Sequence, residues 1–167
     1  AIDEYLRESP NRFWKVIENQ INHVPTVSGY TTTLNCISQE YPFRQCVKSL
    51  LGFCDQVVIV DGGSTDNTLH IAEELGCEVI KQWGEGKGAG IRQAFKRFKE
   101  LNDDVLVMLD SDGTYYPEEI PRMIKSIPNG GISIGDRLHG NLDKDAMTRT
   151  NWIGNHLLTW LAVALHG

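Results

Sequence analysis

Val105-Leu106-Val107-Met108-Leu109-Asp110-Ser111-Asp112-Gly113 runs from an apolar segment straight into two carboxylates. The apolar run, bounded by Asn102-Asp103-Asp104 and by a glycine, predicts a central strand buried on both faces. Its carboxyl end then carries Asp110 and Asp112, one residue apart. In an open α/β sheet that end is where ligands bind. Two acids so close repel each other unless a cation lies between them, and oxygen ligands suit a divalent metal. The competing reading is purely structural, because Asp-Ser-Asp-Gly is also ordinary turn chemistry.

The segments upstream repeat this layout. Tyr30 to Ile37 is rich in β-branched residues and predicts a first strand. Pro42 opens a predicted helix through about Phe53, with Val47, Leu50 and Leu51 as its buried stripe. Gln56-Val57-Val58-Ile59-Val60-Asp61 is a second buried strand that again ends in an aspartate. The turn Gly62-Gly63-Ser64-Thr65-Asp66 follows, Asp66 capping a helix from Asn67 to Leu75 that Gly76 ends. Glu78-Val79-Ile80 is a short third strand. The loop Gly84-Glu85-Gly86-Lys87-Gly88-Ala89-Gly90 then enters a helix predicted over Ile91 to Glu100. Amides at a helix start, with Lys87 and Arg92 beside them, suit a phosphate, although a flexible glycine loop with a solvated lysine reads the same way.

Downstream of the two aspartates, a helix is expected from about Pro117 to Ile127. Gly131-Ile132-Ser133-Ile134-Gly135 predicts a fifth strand, ending at Asp136-Arg137. Asn151 to Leu165 predicts a final helix with more apolar surface than one buried stripe needs. That excess predicts a second buried face, met by further chain, a second copy or a membrane surface, and self-association through this helix. Strands and helices alternate throughout, so the expected fold is α/β, a mainly parallel doubly wound sheet.

Composition sets the outer limits. A chain of 167 residues suits one domain with a real core. A net charge of −6 argues against nucleic acid as a partner, which would want a basic face. Cys36, Cys46, Cys54 and Cys77 lack paired metal-ligand spacing and read as reduced, buried thiols of a cytoplasmic protein. Residues 1–25 read as a helical arm, with Phe13, Trp14, Ile17 and Ile21 at helical spacing and without the apolar core of a signal peptide. The main domain is expected over residues 26–167. Trp152 to Leu165 is too short and interrupted to span a bilayer. The five histidines show no paired ligand spacing.

Together these residues resemble glycosyltransferase family 2, with its GT-A fold and Rossmann-like nucleotide-sugar-binding core. Val58-Ile59-Val60-Asp61-Gly62-Gly63-Ser64-Thr65-Asp66 resembles the family's strand and Gly-Ser-Thr-Asp turn. Gly86-Lys87-Gly88-Ala89-Gly90-Ile91-Arg92 is similar to the lysine and glycine loop of polyprenyl- and dolichyl-phosphate sugar synthases. Asp110-Ser111-Asp112 matches the Asp-X-Asp metal motif, Gly113-Thr114-Tyr115-Tyr116-Pro117 continues it, and Gly135-Asp136-Arg137 stands where those synthases carry Gly-Ser-Arg. The resemblance implies a metal-dependent inverting transfer from a UDP- or GDP-linked sugar, with a polyprenyl phosphate among the acceptors, at the cytoplasmic face of a membrane. Asp61 would hold the base or ribose. Asp110 would approach ribose and metal, and Asp112 would ligate Mg²⁺ or Mn²⁺ at the diphosphate. Lys87, Arg137 and Arg149 would add phosphate donors.

The chain also departs from the pattern. Many members carry two successive aspartates where this one has Asp61-Gly62, and Asp136 sets an acid beside Arg137. The family continues past the equivalent of Gly167 with acceptor-side strands and often a catalytic aspartate, so this chain is expected to lack that part. No general base is identifiable in it. Two rival readings share some of these residues. Asp110-Ser111-Asp112-Gly113-Thr114 also spells the haloacid-dehalogenase phosphatase signature, with Asp110 as nucleophile and Asp112 as acid/base, but that family carries it on its first strand. A non-catalytic nucleotide-sugar-binding module would need no acceptor half.

Overall fold

The computed structural model describes residues 25–127, 131–135 and 147–166. The chain divides into two compact units, residues 1–125 and 126–167. The helical arm expected over residues 1–25 falls almost wholly outside the described residues, as do Asp136 and Arg137.

The first unit holds β1 (Val27–Thr33), α1 (Phe43–Leu51), β2 (Gln56–Asp61), α2 (Thr68–Glu74), β3 (Glu78–Lys81), α3 (Lys87–Leu101) and β4 (Val105–Met108). A 3-10 turn (Pro117–Glu119) then leads into α4 (Ile120–Ser126). The four strands form one parallel sheet in the order β3-β2-β1-β4. The chain steps outward from β1 to β3, then crosses back through α3 to lay β4 on the other side of β1. The sheet is therefore doubly wound, with its switch point between β1 and β4.

Alternation along β2 builds a core on each face. Val57 and Ile59 join Val27, Phe43, Val47, Leu50, Ile71 and Ile120 on the face covered by α1, α2 and α4. Val58 and Val60 join Tyr30 and Ala94 on the face covered by α3. At the amino ends of the strands, acids close the sheet. Asp55 accepts the Val27 amide at 2.8 Å, and Asp104 accepts that of Thr26 at 2.8 Å.

Several elements differ from their sequence reading. β4 is an edge strand among the described residues, paired with β1 alone; its first three residues are half-buried and Met108 is 47% exposed. β1 is the central strand instead. It starts and stops earlier than Tyr30–Ile37. Gly29 belongs in it because the strand lies against Cys54, whose Sγ stands 2.9 Å from where a Cβ would be. Asn35, at φ 51°, turns the chain out of the sheet. No strand forms over residues 131–135, where Ile132 and Ile134 are 78% and 83% exposed. Ile-Ser-Ile has the alternation of a strand but pairs with no strand among the described residues. The four cysteines are unbridged, yet only Cys36 and Cys54 are buried.

The second unit holds α5 (Arg149–His166), with none of its described residues buried. Its apolar residues, from Trp152 to Leu165, are all substantially exposed. No helix among the described residues is long and apolar enough to cross a membrane.

Candidate active site

An open cleft of about 490 Å³ lies at the carboxyl ends of β1 and β2, a size that suits a small-molecule ligand. Thr32, Thr33 and Gly62 wall it from the sheet, Gln82 and Gly84–Lys87 from the glycine turn, and Ser111 from the loop after β4. It opens beside the switch point, so four separate sequence segments meet there.

Asp61, at the end of β2, is 3% exposed. Its Oδ1 accepts hydrogen bonds from the hydroxyls of Thr33 (3.1 Å) and Ser64, and its Oδ2 from the amides of Gly63 and Ser64, both at 2.9 Å. The carboxylate is saturated within the chain and holds the Gly62–Ser64 turn against β1. Asn35 completes this wall by accepting the Thr65 amide at 2.7 Å. One turn on, Asp66 accepts the amides of Ser38 at 2.7 Å and Thr68 at 2.9 Å, so it holds the first residue of α2, whose N-cap position falls to Asn67, while tying down the β1–α1 loop. What burial it has opposes ionisation, but these hydrogen bonds hold its carboxyl down at about 2.

Lys87 meets the metal-motif aspartate. Its Nζ lies 2.5 Å from Asp110 Oδ1, with the lysine side chain 54% and the aspartate 25% exposed. The helix behind Lys87 begins earlier than its composition suggests. α3 starts at Lys87 itself, so Gly88-Ala89-Gly90 is its first turn and not loop. Gly90 is there for close approach. A Cβ on it would stand 2.8 Å from Thr32 Cγ2 and 2.7 Å from Gln82 Oε1. No side chain caps this first turn, which leaves amide donors for an anion. Arg92 reaches back over the same turn, its Nη1 3.6 Å from the Cβ position of Gly88.

The Asp110–Asp112 loop is braced from below. Ser111 is 6% exposed, and its hydroxyl lies 3.3 Å from Cys36 Sγ and 3.4 Å from the Thr32 carbonyl. The Cys46 thiol donates to the Asp110 carbonyl at 3.4 Å; burial first, then the neighbouring Cys36, Asp112 and Asp110, push its pKa up to about 12. It stays a protonated donor at neutral pH. Asp112 accepts the amide and hydroxyl of Thr114 at 3.0 and 2.7 Å. Burial works against its ionisation, but these bonds and the Lys87 charge hold its carboxyl below the ordinary value. Beneath the loop, the Tyr30 hydroxyl is buried without a partner among the described residues, and desolvation, aided by the Asp110 charge, raises its pKa.

The fold thus brings Asp61, Lys87, Asp110 and Asp112 to one end of the first unit. Arg149 opens α5 in the second unit, and Arg137 lies outside the described residues. Gln82, Asn35 and Ser111 went unread as site residues. The signal for Gln82 was its position, a long amide between a strand end and the first glycine of the loop.

A parallel sheet in this order, with a lysine-bearing glycine turn and an Asp-X-Asp loop at its switch point, has the arrangement of a GT-A core. Residues 30–164 match the model of glycosyl transferase family 2, and the chain belongs to that family. Glycosyltransferase AglJ of Haloferax volcanii is 37% identical over 117 residues, which are 70% of this chain and 37% of that protein. A dolichol-phosphate mannosyltransferase of Pyrococcus furiosus is 38% identical over 98 residues, 57% of this chain and 28% of that one. Among solved structures, the glucosyl-3-phosphoglycerate synthase of Mycobacterium tuberculosis, in complex with Mn²⁺, UDP and glucosyl-3-phosphoglycerate, superposes with a TM-score of 0.52 at 19% identity. That match covers 70% of this chain and 43% of the synthase, and it shows the shared fold. The matches cover less than half the length of each of these proteins. The phosphatase reading needed the motif on a first strand, whereas here it follows β4.

Proposed function

We propose that this chain is the donor-binding part of a glycosyltransferase that moves a sugar from a UDP- or GDP-linked donor to a polyprenyl phosphate with inversion. The observation that carries the proposal is the Lys87–Asp110 pair at 2.5 Å, set beside Asp112 at the switch point of the sheet. A lysine held there by a carboxylate is a phosphate donor kept ready.

The donor set fits a hard divalent cation. Asp110 and Asp112 offer carboxylate oxygens, and no cluster of three or more metal-ligating side chains occurs among the described residues. Mg²⁺ is characteristically held in this way, by one or two carboxylates with substrate phosphates completing the shell. Asp110 and Asp112 would hold Mg²⁺ or Mn²⁺, which when bound would neutralise charge gathering on the departing diphosphate. The chain's own residues do the rest. Lys87 passes from Asp110 to the diphosphate, and the first turn of α3 presents amides to the same group. Asp61 holds the turn that walls the nucleotide, and it reaches base or ribose by exchanging one of its four internal donors. Arg137 and Arg149 would supply further phosphate donors.

Transfer then needs an acceptor oxygen that attacks the anomeric carbon opposite the departing diphosphate. A phosphomonoester oxygen is already largely anionic at neutral pH, so a lipid phosphate asks for no general base, while a sugar hydroxyl would. None is identified among the described residues. The names of relatives support this acceptor class. They include the Pyrococcus furiosus mannosyltransferase and a UDP-N-acetylglucosamine–dolichyl-phosphate N-acetylglucosaminyltransferase of Methanococcus voltae, 29% identical over 133 residues.

Calorimetry with UDP and GDP tests the donor half. Binding is expected in Mn²⁺, is lost with chelator, and weakens by about tenfold or more in Asp112→Asn, the scale of one charge-assisted contact. Equal affinity with and without metal would overturn the assignment.

A further inference from the structure

The glycine turn that delivers Lys87 is held by one side-chain amide, and the strand end leading into it by a second. Gln82 follows the last residue of β3, and its backbone N–H donates to the Asp61 carbonyl at 2.7 Å. Its side-chain Nε2 donates to two carbonyls of the turn, Gly84 at 3.0 Å and Gly86 at 3.1 Å. Gln93 acts from α3. It is 7% exposed, its Nε2 donates to the Lys81 carbonyl at 2.7 Å, and its Oε1 accepts the Trp83 amide at 2.8 Å. Gly84 and Gly86 both sit at positive φ, +75° and +78°. Two such glycines within three residues leave the backbone many alternatives, so something outside the turn must select one. Gly86 is also the residue that precedes Lys87 and caps α3, so any change at Gly86 moves the Lys87 backbone directly.

We infer that Gln82 is a positioning residue for the diphosphate: its amide latches the Gly84–Gly86 turn and thereby aims Lys87 and the first turn of α3 at the cleft. Gln93 anchors the backbone on either side of Gln82, at Lys81 and Trp83. This inference rests on the nucleotide-sugar reading above. The chemistry requires an amide here, because one atom satisfies two carbonyls only if it carries two hydrogens. A glutamate has the same shape but, ionised, has only acceptors to offer these carbonyls. Gln82 acts through the turn: its hydrogen bonds among the described residues go to Gly84, Gly86 and Asp61.

The test uses Gln82→Ala and Gln82→Glu in the full chain, with hydrogen exchange and calorimetry. Amides of residues 83–90 are expected to exchange faster in both variants, with the rest of the sheet unchanged. Affinity for UDP or GDP with Mn²⁺ is expected to fall by about tenfold, the scale of two lost neutral hydrogen bonds. A double-mutant cycle then separates positioning from general destabilisation. In a Lys87→Ala background, Gln82→Ala should cost much less than it does in the native chain. Fully additive losses would overturn the inference, and so would unchanged exchange over 83–90. The exchange measurement needs no ligand. If the native chain binds neither nucleotide, the functional reading falls, while lost protection over 83–90 still supports the latch.

Discussion

At the scale of single residues, the site is a set of charges waiting for a ligand that shares them. Lys87 neutralises Asp110 directly, and it depresses the Asp112 carboxyl through its charge. On the proposed reading, a metal ion and Lys87 would compete for the same oxygen of Asp110, and a diphosphate would draw the lysine away. Replacing the ammonium with an apolar group of similar length separates the two effects. Lys87→Met is expected to bind Mn²⁺ alone several-fold more tightly than the native chain, and Mn²⁺ with UDP or GDP more weakly. Both follow from Coulomb attraction at partly exposed positions. Titration of each variant with Mn²⁺, alone and then with nucleotide, reads the two signs. Weaker binding of both would mean that Lys87 supports the metal site and does not compete with it. Asp61 illustrates the opposite situation. Its four internal hydrogen bonds give it a structural role besides the binding one proposed for it.

At the scale of elements, the loop after β4 depends on its contact with the start of α1. Gly113 sits at φ +79°, and a Cβ there would stand 2.6 Å from Pro42 Cγ. Pro42 is the residue that caps α1. A side chain at position 113 meets two penalties, about 1–2 kcal/mol for the left-handed backbone and about 1–3 kcal/mol for overpacking against the ring. Gly113→Ala is expected to lower stability by a sum of this order and to weaken metal-dependent nucleotide binding through Asp112. Thermal melting and calorimetry read both. Gly135→Ala is the control, since nothing lies within 4 Å of its Cβ position. A neutral Gly113→Ala would show that the loop shifts freely and that its contact with Pro42 does not hold Asp112.

At the scale of the molecule, the two units contrast. The first buries an apolar core on both faces of its sheet. In the second, Trp152, Ile153, Leu157, Leu158, Trp160 and Leu165 along α5 are all about half exposed or more. Apolar surface of this extent drives association. We expect the isolated chain to self-associate or to bind detergent, and Leu158→Glu, at a position 65% exposed, to restore a monomer without unfolding it. Sedimentation with and without detergent measures this. A clean monomer in plain buffer, with no uptake of detergent, would sink the expectation.

The sequence by itself determined the alternation of strands and helices, the ends of β2, the aspartates that close two of the strands, and the family through the order of its motifs. These are local facts: apolar runs, turn residues and carboxylate spacing carry their meaning within a few positions. Only the tertiary structure decided that β1 and not β4 is central, because strand order depends on how crossovers pack and leaves no mark on one strand's composition. The same reason removed the strand expected over residues 131–135, whose Ile-Ser-Ile pattern found no strand to pair with among the described residues. The start of α3 was hidden because glycines there read as flexibility, when Gly90 instead serves close packing on Thr32. Lys87 and Asp110 lie 23 residues apart in sequence, Gln82 and the Asp61 carbonyl 21, and no spacing rule announces either pair. Burial, pairing and competition for one oxygen are properties of neighbours, and the sheet alone chooses them.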